Sequence, residues 1–266
     1  MKSSFGRART QRAEARSTRG AIAALLAALA LAAALAGCGS GGKPTLTVSA
    51  AASLKKAFSS YGAQFKSVRV RFSFAGSDLL AAQIEQGLRP DVFASANRRI
   101  ADRLHAKGLL EAPVVFAANR LVLAVPAGSS AVNGLADLQH SGIALAIGTA
   151  GVPVGEYTRN VLARLPRGER TAVLANVRDE EPDVTGIVGK LTQGAVQAGF
   201  VYATDVAAAA GKLRAIALPA GLRPQVAYAI ALVAGTTRRA QAQRFIQGLL
   251  AGAGRDDLMR AGFLAP

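Results

Sequence analysis

Two serines stand where a strand hands over to a helix, a placement that suits anion binding. Leu46-Thr47-Val48-Ser49-Ala50 alternates and is β-branched in its middle, as a short strand does. Ala51 and Ala52 turn, and Ser53 then precedes Leu54, Ala57, Phe58, Tyr61 and Phe65, which share one helix face. The arrangement recurs at Ala75-Gly76-Ser77-Asp78, between an alternating strand at 68–74 and a helix over 79–86 stopped by Gly87. The start of a helix carries unpaired N–H groups and the positive end of its dipole, so a hydroxyl there can help hold an anion. The plain alternative is that Ser53 and Ser77 only cap their own helices. Further along, the strand Ala198-Gly199-Phe200-Val201-Tyr202 ends in an aromatic hydroxyl.

Other chemistries find little footing. Ser53 does not lie in a Gly-x-Ser-x-Gly elbow. The two histidines, His105 and His140, have no metal-ligand spacing and read as structural or solvated. Gly186-Ile187-Val188-Gly189-Lys190-Leu191-Thr192 imitates a phosphate loop, but its glycine spacing is short and Leu191 stands where Ser or Thr is needed. No acid/base pair offers itself for a secreted hydrolase, so the reading is of a non-enzyme without cofactor.

Strands and helices must position these hydroxyls. A third strand lies within residues 89–97, and Asn97 caps a helix through His105. Residues 121–126 and 143–147 are continuous apolar strands of the doubly buried kind. The turn 148–155 is rich in Gly and Pro, and a helix over 156–165 follows it. Residues 178–182 read as a polar stretch, after which Asp183 opens a helix over 184–191. Strands follow at 213–218 and 225–234, then a helix over 237–250 capped by Thr236 and a last one near 255–261. Alternating strands and helices imply an α/β fold. The chain crosses near 119–125 and recrosses near 226–232, which gives two lobes: 45–120 with 226–266, and 121–225. That is the layout of a hinged binding protein.

The N-terminus reads as an address. Six Lys/Arg and one Glu lie in residues 1–37, and residues 21–34 are Ala, Leu and Ile only, too short a run to span a bilayer comfortably. Leu35-Ala36-Gly37-Cys38 resembles a bacterial lipoprotein box, and Cys38 is the single cysteine. The resemblance implies a cleaved leader (1–37), a lipidated Cys38, a flexible tether (38–44) and an extracytoplasmic, membrane-anchored protein. Removing 37 of 266 residues leaves 229, and removing the leader's +5 from the chain's +16 leaves +11. With no Trp and no basic cluster tighter than Arg98-Arg99 or Arg238-Arg239, that charge reads as solubility, membrane adhesion and mild attraction for anions rather than nucleic-acid binding.

Several stretches in order resemble the periplasmic molybdate-binding proteins of ABC transporters. They are Ala50-Ala51-Ala52-Ser53-Leu54, Phe74-Ala75-Gly76-Ser77, Gln83-Ile84-Glu85-Gln86-Gly87, Pro90-Asp91-Val92-Phe93-Ala94-Ser95-Ala96, Val152-Pro153-Val154-Gly155-Glu156-Tyr157, Asp183-Val184 and Gly199-Phe200-Val201-Tyr202-Ala203-Thr204-Asp205. The resemblance implies a type II periplasmic-binding-protein fold, two lobes joined by a two-strand hinge. It also implies a monomer that binds molybdate or tungstate and passes it to a permease. Ser53, Ser77 and Tyr202 would donate hydroxyls to the oxyanion, and Val154 and Val184 backbone N–H groups. Two departures bear on the ligand. Asp78 stands where a small hydroxyl residue is expected and would repel a dianion. Val154 replaces a common Ala and could crowd the cavity. Sulfate or an organic anion is the rival ligand.

Overall fold

The computed structural model describes residues 43–66 and 68–266. The leader and Cys38 lie outside the described residues. In chain order the main elements are β1 (Thr45–Ala51), α1 (Lys55–Gln64), β2 (Arg69–Ala75), α2 (Ser77–Glu85), β3 (Val92–Ser95), α3 (Arg98–Ala106), β4 (Val114–Asn119) and β5 (Leu121–Pro126). Then come β6 (Leu145–Gly148), α4 (Pro153–Leu162), α5 (Arg167–Ala175), β7 (Val177–Glu181), α6 (Val184–Thr192), β8 (Ala198–Tyr202), α7 (Ala203–Ala208) and β9 (Leu213–Ala217). The chain closes with β10 (Val226–Leu232), α8 (Arg239–Ala251) and α9 (Ala253–Arg260).

The strands form two five-stranded sheets, ordered β2-β1-β3-β10-β4 and β7-β6-β8-β5-β9. In each, the first three strands are parallel and the fourth runs antiparallel to its neighbours. The sheets therefore share one topology, and each makes one lobe of a two-lobed α/β protein. The chain leaves the first sheet at Arg120, between β4 and β5, and returns between β9 and β10.

Burial explains the strands. β3, β8 and most of β5 are buried residue by residue, as their apolar runs predict. Beneath the first sheet, the fully buried Phe58 ring meets Phe72, Phe116 and Phe245 at centroid distances of 6.1, 5.9 and 5.6 Å. Truncating such a ring to Ala costs about 3–5 kcal/mol, so this cluster anchors the elements that carry Ser53 and Ser77.

The structure departs from the sequence reading at several elements. Residues 177–181 are β7, an edge strand paired in parallel with β6; its charges blunt an edge that apolar patterning cannot reveal. The helix expected at 156 starts at Pro153, because proline's fixed φ and missing N–H suit a helix's first position. Thr236 lies two residues before the N-cap Arg238 of α8, and accepts the Arg238 N–H while donating to Asp91.

Candidate functional site

The carboxyl ends of β1, β2, β3, β6, β7 and β8 converge, which in open α/β sheets is where ligands bind. There, Ser53, Ser77, Val154, Val184 and Tyr202 all line one small cavity, with Ala51, Gly76, Ala96 and Asp183 among the rest of its wall. It is small, about 20 Å³.

Neither serine caps its helix, so the capping alternative fails for both. α1 has Leu54 and α2 has Gly76 at the N-cap, each without a side-chain bond. Ser77 is buried instead, and its Oγ accepts the Ala96 N–H at 3.1 Å. Ser53 Oγ lies 2.8 Å from the Tyr228 hydroxyl, which also receives the Asn119 Nδ2–H at 3.5 Å. Either hydroxyl of the Ser53–Tyr228 pair can donate to the other. Ser77, whose Oγ accepts from the protein, keeps its own proton for the cavity. Tyr228, Asn119 and Ala96 were not identified from the sequence. A tyrosine within the apolar run of β10 was the one available sign, since a buried phenol needs a partner.

The remaining donors come from helix starts. Asn97 and Asp183 cap α3 and α6 as expected. The Asp183 carboxylate takes the Thr185 and Gly186 N–H groups, which leaves that of Val184 outside the cap. In α4 the first intrahelical bond runs from Glu156 N to Val152 O, so the Val154 N–H has no acceptor in its own helix. One methyl of the Val154 side chain, Cγ1, packs over Gly148, where a Cβ would come within 2.7 Å.

Tyr202 is 1% exposed, and its hydroxyl has no hydrogen-bond partner. An unpartnered buried hydroxyl costs about 1–3 kcal/mol and is retained where something uses it. Burial first, then the neighbouring Tyr228 and other groups, push its pKa well above the ordinary phenol value, so it stays a donor. Burial likewise pushes the Asp205 carboxyl up to about 7 although it accepts the Tyr202 N–H, which limits the negative charge it sets near the cavity. Among the described residues no Lys or Arg lines this space. The site is thus a set of hydroxyls and helix starts with one carboxylate, Asp183, bonded to the N–H groups it caps.

The two sheets' elements meet around the cavity. Glu156 of α4 accepts from Asn97 Nδ2 at 3.0 Å and from Arg99 Nε and Nη2 at 3.1 and 2.5 Å. Tyr157 donates to the Ala96 carbonyl at 3.4 Å. Gly76 abuts Pro182, whose carbonyl oxygen would collide with any Cβ at that position. The lobes are therefore closed on the cavity.

Fold and cavity together define a two-lobed protein of the solute-binding class. The family model described as bacterial extracellular solute-binding protein matches residues 46–264, and the chain belongs to that family. It is 36% identical over 231 residues to the molybdate-binding protein ModA of Mycobacterium tuberculosis H37Rv, covering 85% of this chain and 86% of the relative. It is 31% identical over 236 residues to ModA of Haemophilus influenzae, covering 83% and 90%. The periplasmic molybdate-binding protein of Azotobacter vinelandii superposes with a TM-score of 0.75 at 22% identity, covering 83% of this chain and 99% of that one, which is a likeness of fold.

Proposed function

We propose that this protein captures molybdate outside the cytoplasm and hands it to the permease of an ABC transporter. Residues 45–120 with 226–266 form one lobe and 121–225 the other, and the lobes close on the oxyanion. Ser53 and Ser77 donate from the first lobe. Tyr202 and the N–H groups of Val154 and Val184 donate from the second. The protein acts as a monomer, held at the membrane through a lipid on Cys38. The relatives named for molybdate binding support the ligand, and their similarity runs through most of the chain.

The observation that carries the reading is the convergence of hydroxyls and helix starts on a cavity walled without cations. A fully deprotonated oxyanion offers only acceptors, which suits hydroxyls and helix-start N–H groups, while the one carboxylate in the wall, Asp183, is taken up by the Thr185 and Gly186 N–H groups. Closure follows because the ligand's contacts are split between lobes, so only the closed state makes all of them.

Calorimetric titration with molybdate, tungstate, sulfate and phosphate tests the reading. Tight binding of molybdate and tungstate, with sulfate and phosphate at least about a hundredfold weaker, is the expected result. That ratio corresponds to about 2.7 kcal/mol. Tight binding of sulfate alone, or of none of the four, contradicts it.

A further inference from the structure

Asp78 carries the second unpartnered oxygen. Among the described residues only two buried side-chain oxygens or nitrogens have no hydrogen-bond partner, Tyr202 Oη and Asp78 Oδ1. The first faces the cavity and is explained by an anion. The second is not, because a carboxylate oxygen is an acceptor and an anion brings it no proton.

Its position shows what strips it of water. Asp78 follows Ser77 in the first turn of α2. A Cβ on Gly76 would lie 2.7 Å from Asp78 Oδ1, and the same point is blocked by the carbonyl oxygen of Pro182 from the second lobe. A Cβ on Gly151, also of the second lobe, would lie 3.4 Å from Asp78 Oδ2. The carboxylate thus sits in the seam between lobes, beside a carbonyl that cannot donate to it. Parting the lobes returns Oδ1 to water; closing them removes that water and replaces it with nothing.

We propose that Asp78 limits the affinity of the site: its carboxylate, with Oδ1 stripped of water at the lobe seam one residue from Ser77, opposes closure on a dianion and speeds its release. This rests on the reading of the cavity as an oxyanion site. Two effects add. The unpaired oxygen is penalised only in the closed state. The negative charge also repels a negative ligand in a space with little water to screen it. A binding protein has to surrender its cargo to a permease, and a built-in opposing charge keeps the closed state from becoming a trap.

Stopped-flow kinetics with molybdate on the wild type, Asp78→Asn and Asp78→Glu, together with small-angle X-ray scattering of the ligand-free proteins, test the proposal. Asp78→Asn should slow dissociation by about tenfold and tighten Kd by a similar factor. It should also reduce the ligand-free radius of gyration as the closed state gains population. Asp78→Glu keeps the charge and should release as fast as the wild type. A carboxylate that merely favours the start of α2 through the helix dipole predicts a lower Tm for Asp78→Asn with no gain in affinity. That outcome overturns the proposal. Weaker binding by Asp78→Asn overturns it too, and would make Asp78 an acceptor for a proton on the ligand. If the wild type takes up no molybdate, the functional reading fails, and the ligand-free scattering alone decides the role of Asp78: a smaller radius in Asp78→Asn supports it, an equal one refutes it.

Discussion

Replacing Gly76 by Ala should weaken ligand binding by about 5- to 150-fold while leaving the fold intact. The backbone there has φ −55° and ψ 137°, a conformation open to any residue, so the substitution adds no local strain. The methyl group meets the Pro182 carbonyl of the other lobe and, within its own lobe, Asp78 Oδ1. In the open state only Asp78 is met, the end of a side chain that can turn aside. In the closed state two backbones have to move apart, and overpacking of this kind costs about 1–3 kcal/mol. The cost falls chiefly on closure. Thermal melting without ligand should match the wild type, whereas calorimetry should show the loss. A Tm drop of many degrees with unchanged affinity would mean that Gly76 serves folding and not closure.

Tyr202→Phe should move stability and affinity in opposite directions. The Tyr202 hydroxyl is buried without a partner, so deleting its oxygen relieves a penalty of about 1–3 kcal/mol in the ligand-free closed form. The ring keeps its edge contact with Tyr228, at a centroid distance of 5.9 Å. Ligand-free Tm should therefore hold or rise. Affinity for the oxyanion should fall by about 1.5–3 kcal/mol, the range for a hydrogen bond to a charged group. Ser77→Ala should lose a similar amount of affinity but also lower Tm, because Ser77 Oγ is the acceptor for the Ala96 N–H within its own lobe. Melting curves and titrations on the two variants separate these patterns. A Tyr202→Phe protein that melts lower and binds as tightly as the wild type would remove Tyr202 from the site.

Much of this arrangement was legible in the sequence, for specific reasons. The strand, small-residue turn and helix around Ser53 and Ser77 announce themselves through alternation followed by helical periodicity, both local signals. Tyr202 stands out as a hydroxyl closing an apolar strand. The support behind these groups was not legible. Tyr228 reaches Ser53 only because β10 returns antiparallel beside β3, a pairing across more than a hundred residues. Ala96 meets Ser77 through the packing of two adjacent turns. The serines themselves suggested caps, since a hydroxyl ahead of a helix satisfies the local rule equally well; tertiary partners claimed their oxygens instead. β7 was hidden for the opposite reason, as its charged Arg178-Asp179-Glu180-Glu181 carries no apolar pattern. Asp78 looked like a misfit from its charge alone, and only the seam with Gly151 and Pro182 explains when that charge matters.

Crystals grown with molybdate and measured at the molybdenum absorption edge test most directly whether hydroxyls and helix-start N–H groups from both lobes hold the oxyanion in one small cavity. The predicted result is a single anomalous peak enclosed by Ser53, Ser77 and Tyr202, with oxyanion oxygens within hydrogen-bond distance of their hydroxyls and of the Val154 and Val184 nitrogens. A peak elsewhere on the protein, or none in crystals of the closed form, would contradict it.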